Sequence, residues 1–397
     1  MIIANGELIT PFVRRANTAL IVKNGIIEAF LPGSQIEGLD DERIDAEGGY
    51  VIPGLLDIHT HGALGSDFMD ATFEDFSRIL RFQASHGVTT VLATTLTVPV
   101  PEIIACMEAA RRYMGAWRGG SRLAGIHLEG PYISAVNKGA HLEKYLRVPE
   151  RDKYDFIFEY SDVVKTVTIA PELPGSPRMI RELTDRGIVV SGGHDGAVDE
   201  DVFRAVEAGM THTTHLFCAM STISRKDGHK YAGLTEIALA DGRLTAELVA
   251  DGFHVPAPLM QLAYKCKGPD GLCIVSDCLR PAGMKKDGAR YVIGPKNGEG
   301  VQKVVVDDDV ARLPDSSMLA GSILTVDTML KKLVDTCEIP LQAAVKMASA
   351  TPAGVIGMDR SIGSLEVGRK ADICILDRNL KVQKTIIEGK VVYEHER

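Results

Sequence analysis

Val51-Ile52-Pro53-Gly54-Leu55-Leu56-Asp57-Ile58-His59-Thr60-His61-Gly62 is an apolar run that closes on two histidines one residue apart. Read as a buried strand, it places residues i and i+2 on one face, so both imidazoles leave its C-terminal end in the same direction, as a chelating pair. The same construction recurs down the chain. Val88 to Ala93, Leu123 to His127, Val164 to Ile169, Ile188 to Ser191, Thr211 to Thr214, Leu244 to Val249 and Leu272 to Val275 join Val51 to Ile58 as eight candidate strands. Amphipathic stretches lie between them at Phe73 to Ser85, Pro101 to Met114, Pro177 to Arg186, Glu200 to Ala208 and Pro256 to Lys265. Strand and helix in alternation predict a parallel sheet, and eight units predict a closed α/β fold, a TIM-like (β/α)8 barrel.

Outside this region the pattern changes. Ile2 to Thr10 and Thr18 to Phe30 alternate apolar and polar residues, the second around Asn24-Gly25, a hairpin signal. Ala371 to Leu376 reads as a buried strand and Val382 to Tyr393 as a hairpin around Glu388-Gly389. The two β-rich ends predict a small β-sandwich domain built from residues 1–52 and 357–397, with the barrel over 53–356. Arg290 to Leu313 interrupts the rhythm with Asn297-Gly298 and a valine-rich run, which predicts a hairpin inserted near 289–313; Leu324 to Thr336 and Leu341 to Ser349 resume as helices.

Composition narrows the function. The 397 residues carry 53 acidic and 44 basic side chains, a formal charge of -9, and no Lys/Arg cluster stands out, so nucleic acid and anionic membranes are not expected partners. With 45% hydrophobic and 24% charged residues and no apolar stretch of spanning length or signal-like start, the chain reads as a soluble cytoplasmic protein. Seven cysteines without a C-x-x-C pair fit a reducing compartment.

Active sites of this barrel are assembled at the C-terminal ends of its strands. Those ends are His59 and His61, then His127-Leu128-Glu129-Gly130-Pro131, Gly193-His194-Asp195, Thr214-His215, Asp251-Gly252-Phe253-His254 and Ser276-Asp277; besides His127, five of the 11 histidines (His59, His61, His194, His215 and His254) fall there. Imidazole and carboxylate without thiolate suit divalent zinc, iron, manganese or cobalt, and such a set can hold two ions about 4 Å apart. That chemistry is an activated water for hydrolysis. His127 is read as a core or supporting residue, His86, His212, His229 and His395 as structural or solvent-exposed, and Asp195 and Asp251 as hydrogen-bond acceptors in loops.

This order of residues resembles the amidohydrolase superfamily. The stretches around them, together with Lys138-Gly139-Ala140-His141, Leu216-Phe217, Leu319-Ala320-Gly321-Ser322 and Gly363 to Asp372, are similar to its N-acetylglucosamine-6-phosphate deacetylase family over nearly the whole chain. The resemblance implies a metal-dependent deacetylase that releases acetate from a phosphorylated N-acetylhexosamine. It places His194 and His215 at one metal position, His59, His61 and Asp277 at the other, and Glu129 as bridge or anchor. Some relatives lack the H-x-H pair and hold one ion; this chain keeps it, which implies two, with one as the fallback. Asp277 would act as general base and then general acid, with His141 or His254 at the oxyanion. Related enzymes that bridge their metals with a carboxylated lysine carry it on strand four, whereas Val167 to Glu172 has none.

The resemblance also places substrate contacts at Ala140, His141, Cys218, Ala219, Arg225, Lys226 and His254, and implies a homodimer whose phosphate sites borrow a residue across the interface. Relatives carry Asn where this chain has Cys218, before Ala219-Met220, and Arg280 is unusual after strand eight. These departures point to a drifted substrate pocket, with Arg225 and Arg280 either reading the altered substrate or serving as loop or interface salt-bridge partners. The alternatives are another N-acyl substrate, such as the galacto epimer, or an inactive paralogue kept for binding.

Overall fold

The computed structural model describes residues 1–116, 119–286, 288–314 and 318–396. Its centre is an eight-stranded parallel sheet of β1 (Leu55–Thr60), β2 (Val88–Thr94), β3 (Arg122–Glu129), β4 (Val164–Ile169), β5 (Val189–Gly192), β6 (His212–Thr213), β7 (Thr245–Leu248) and β8 (Leu272–Ile274), each paired with its neighbours in chain order. β1 and β8 meet through the segment after β8: Asp277 N–H donates to His59 O at 2.9 Å and His61 N–H to Cys278 O at 2.8 Å. This closure fixes Asp277 beside the histidine pair.

The helices follow from ordinary local chemistry. Phe73–Ser85 begins at Thr72, whose hydroxyl accepts the Asp75 N–H at 3.1 Å, with Glu74 and Asp75 in the first turn against the helix dipole. Its Phe76, Ile79, Leu80 and Ala84 are buried. The remaining expected helices appear with ends shifted by a few residues; the last turn of the one expected at Pro256 to Lys265 runs on to Gly271 through a break at Gly268.

The run from Val51 to Gly62 serves two sheets. Tyr50–Pro53 pairs in a terminal sheet with Ile373–Leu376 and Glu7–Ile9, while Leu55–Thr60 enters the barrel. Gly54 marks the passage, since a Cβ there would lie 2.3 Å from the Thr89 side chain. That six-stranded sheet, drawn from both chain ends, and a four-stranded one built from residues 2–45 form the β-sandwich, with Ile3, Leu20, Val51, Ile373 and Ile386 in its core.

The expected hairpin at 289–313 is larger than its sequence signal. It is a four-stranded antiparallel sheet of Ala289–Ile293, Gln302–Asp307, Val310–Arg312 and Leu319–Ser322. Its tight turn is Asp308-Asp309, with Asp308 at φ 52°, and Asn297-Gly298 lies in the longer connection before it. Aspartate also tolerates left-handed backbone, so this turn competed with the Asn-Gly signal. Among the described residues, no helix is long and apolar enough to cross a membrane, and all seven cysteines are free.

Candidate active site

The strand ends bring His59, His61, Glu129, His194, His215 and Asp277 together. Glu129 closes β3 and occupies the centre. Its Oε1 lies 3.1 Å from His215 Nε2, 3.2 Å from His194 Nε2 and 3.5 Å from His59 Nε2, and its Oε2 lies 3.3 Å from His61 Nε2. Asp277 Oδ1 faces the pair on β1, 3.3 Å from His61 Nε2 and 3.6 Å from His59 Nε2. All six are buried. His194, His215 and Asp277 have φ of 49°, 29° and 47°, a left-handed backbone that costs about 1–3 kcal/mol for a residue with a side chain. Three such residues, at the ends of β5, β6 and β8, turn their side chains inward toward the corner that Glu129 occupies.

Hydrogen bonds fix the imidazole tautomers. His194 Nδ1–H donates to Asn137 O at 2.9 Å and His215 Nδ1–H to Cys218 O at 3.0 Å, because a carbonyl only accepts. Their Nε2 atoms therefore present lone pairs, 3.0 Å apart and beside a carboxylate. His59 Nδ1–H donates to Glu247 Oε2 at 2.8 Å, which leaves a buried Nε2 without a hydrogen-bond partner. Lone pairs and carboxylate oxygens so arranged repel one another unless positive charge lies between them. The spacings of 3.0–3.6 Å match the edge of a tetrahedron of ligands, about 3.4 Å for metal–ligand bonds near 2.1 Å. The donor set fits a divalent cation.

Electrostatics agree. Burial opposes charge on His61, yet Asp277 and Glu129 outweigh it and lift its pKa to about 9. Burial likewise opposes charge on Glu129, and His59 with the surrounding imidazoles holds it well below the usual carboxylate range. The corner attracts protons, which a bound cation would displace.

A cavity of about 580 Å3 opens above this floor. Its walls include Ala140, His141, Cys218, Ala219 and His254, and the inserted sheet contributes Leu313, Met318 and Ala320. A larger hollow of about 670 Å3 lies between the terminal strands, around Asn17, Gly33 and Arg378, away from the imidazoles. His141 Nδ1 accepts the Thr97 N–H at 3.2 Å, so its Nε2 carries the proton, 3.5 Å from Glu129 Oε2. Burial pulls the His141 pKa down to about 4, leaving a neutral donor at pH 7. His254 is held the opposite way round, Nδ1–H to Asp251 Oδ2 at 2.6 Å.

Three expected substrate residues lie elsewhere. Arg280 does not line the cavity: its guanidinium reaches Val292 O at 2.9 Å, Gly65 O at 3.0 Å, both Asp70 carboxylate oxygens at 2.6 and 3.0 Å, and Gly294 O. Every N–H of the fork is committed to joining the loop after β1 to the inserted sheet. Arg225 and Lys226 sit on the exposed strand Ser224–Lys226, paired with His229–Tyr231, and do not line this chain's cavity.

His127 is a core residue, bonded through Nε2 to Thr168 Oγ1 at 2.7 Å. Asp251 accepts the Phe253 and His254 N–H groups at 2.8 Å, and Asp195 accepts from Ala197 and Ser221, as loop acceptors do. Two buried acids were missed from sequence, Glu247 and Asp57. Asp57 accepts from Ser276 N–H at 3.1 Å and Ser276 Oγ–H at 2.5 Å, bracing β1 against β8. A carboxylate inside an otherwise apolar buried run was the available signal for both.

Known proteins match the chain over most of its length. The family model described as "Amidohydrolase family" matches residues 50–392. The chain is 35% identical over 362 residues to human N-acetylglucosamine-6-phosphate deacetylase, covering 89% of this chain and 86% of that protein. It is 32% identical to the N-acetylgalactosamine-6-phosphate deacetylase of Escherichia coli O157:H7, over 94% of each. The crystal structure of N-acetylglucosamine-6-phosphate deacetylase from Pasteurella multocida superposes with a TM-score of 0.92 at 28% identity, covering 99% of both chains. A barrel whose strand ends deliver four imidazoles and two carboxylates to one corner, matched over its length by these relatives, places the chain in the amidohydrolase family.

Proposed function

We propose that this amide hydrolase removes the N-acetyl group of N-acetylglucosamine 6-phosphate, giving glucosamine 6-phosphate and acetate. The observation that carries the reading is the pairing of an acceptor and a donor at the cavity floor: the Asp277 carboxylate beside His61, and the Nε2–H of neutral His141 beside Glu129. The relatives named above and a Mycobacterium smegmatis relative solved in complex with N-acetyl-D-glucosamine-6-phosphate, TM-score 0.89 at 28% identity, supply the substrate class.

His59, His61 and Asp277 would hold one divalent ion and His194 and His215 another, with Glu129 between them; zinc is the proposed metal. Such an ion, when bound, polarises a carbonyl and lowers the pKa of water toward about 7. Asp277 takes the proton of the attacking water as the C–O bond forms, then delivers it to the sugar nitrogen as the C–N bond breaks, so that an amine departs. His141 donates to the oxygen that becomes negative in the tetrahedral intermediate. Of the two imidazoles open to that role from sequence, His141 is favoured because its Nε2, beside Glu129 at the cavity floor, bears the hydrogen, whereas Asp251 holds the Nδ1–H of His254.

Arg225 and Lys226, carried outward on an exposed hairpin, suit service in the cavity of a partner subunit, which makes the homodimer part of the proposal. A second reading, the galacto epimer, is favoured by Cys218 on the cavity wall and by the Escherichia coli relative. Turnover of both 6-phosphorylated epimers and their unphosphorylated counterparts decides between them. The gluco phosphate is expected to give the highest kcat/KM; preference for the galacto compound transfers the assignment to the second reading, and indifference to phosphate removes the anion contact.

A further inference from the structure

We infer that Glu247, within β7, is a positioning residue that aims His59 at the Glu129–Asp277 corner and sets the strength of the ion held there; this rests on the metal-binding reading above. The Glu247 side chain is wholly buried, and its Oε2 accepts from His59 Nδ1–H at 2.8 Å and from the His215 backbone N–H at 3.0 Å. Its Oε1 faces His212 Nε2 at 3.5 Å and His127 Nδ1 at 3.9 Å, three buried atoms that find no hydrogen-bond partner. The outer nitrogens of those rings are tied away, His127 to Thr168 and His212 to Thr245, each at 2.7 Å. The His127 ring also packs edge-on against His59 with centroids 4.6 Å apart.

A carboxylate is a costly occupant for a buried parallel strand, where a leucine would pack without losing hydration. Two donors, from the ends of β1 and β6, offset that cost. The hydrogen bond to Nδ1 selects one tautomer and one ring orientation of His59, and the negative charge behind the ring makes Nε2 a stronger electron donor. His215 has its own tie to Cys218 O, so its imidazole keeps its aim without Glu247.

Glu247→Gln and Glu247→Ala separate charge from orientation. A glutamine carbonyl can accept both hydrogen bonds while its amide faces His212 and His127, so E247Q removes the charge and keeps the tie to His59. The holoproteins are dialysed against zinc buffers of decreasing free concentration and zinc per chain is measured, with melting of the chelated forms as the folding control. E247Q is expected to retain both ions with one weakened about 10- to 100-fold. E247A is expected to lose that ion and keep the other. Zinc curves identical to wild type in both variants overturn the inference, as does an equal weakening of both ions accompanied by lower melting of the chelated protein. A wild type that takes up no zinc overturns the metal-binding reading instead. Should E247A fail to fold, E247Q alone decides.

Discussion

His194 and His215 bring their Nε2 atoms to 3.0 Å of one another although both rings donate Nδ1–H to main-chain carbonyls. Two facing nitrogens beside the Glu129 carboxylate make a corner suited to a cation, and without an ion only bound protons relieve the repulsion there. Chelation is therefore expected to lower the melting temperature, and divalent zinc to restore it. An ion present at 1,000 times its Kd contributes about 4 kcal/mol of apparent stability. Thermal scans across a zinc titration measure this, and a melting temperature independent of zinc would contradict it.

Asp277 combines a left-handed backbone, φ 47°, with a carboxylate 3.3 Å from His61. Asparagine tolerates that backbone, so Asp277→Asn is expected to fold normally. It cannot take a proton, and kcat is expected to fall about 10²- to 10⁴-fold. Steady-state kinetics beside circular dichroism check both halves; near-normal turnover would take Asp277 out of the proton transfers.

His141 and His254 differ in which nitrogen bears the hydrogen, and their variants are expected to differ too. Losing a donor to the developing oxyanion costs about 10²- to 10³-fold in kcat, the expected result for His141→Ala. His254→Ala is expected to act mainly on KM. A reversed pattern would exchange their roles.

Arg280 joins Asp70, Gly65, Val292 and Gly294, and its substitution is a test of stability, not of specificity. Removing one partner of a buried pair costs about 3–5 kcal/mol, the expected loss for Arg280→Ala, with a smaller loss for Arg280→Lys. Chemical denaturation gives these values. The epimer preference of Arg280→Lys should match wild type, and a changed preference would return Arg280 to the substrate.

Arg225 is expected to act across a subunit interface. Inactive Asp277→Asn and weakened Arg225→Ala chains, unfolded and refolded together, should regain part of the activity, because mixed dimers pair one intact Asp277 with an Arg225 from the other chain. No recovery in confirmed mixed dimers would place Arg225 outside the site.

The barrel was legible because its strands are short apolar runs of regular spacing, and the chelating pair because a strand has a period of two. Strand-end placement then gathered His194, His215 and Asp277 from positions far apart in the chain. What sequence hid were features decided by tertiary packing. Arg280 looked like a free cation because Asp70, 210 residues away, cannot be paired with it by pattern. Glu247 was absorbed into an apolar strand, since periodicity reports which face is buried and not which buried atoms meet. The inserted sheet was underestimated because the short strands Val310–Arg312 and Leu319–Ser322 carry little pattern of their own.

Acetate release from N-acetylglucosamine 6-phosphate, followed while chelated protein is titrated with zinc, addresses the central claim most directly. Activity absent without metal and rising to a plateau at one or two equivalents per chain is the expected result. Release that is undiminished in the chelated protein, or no release from any phosphorylated N-acetylhexosamine once zinc is bound, would contradict it.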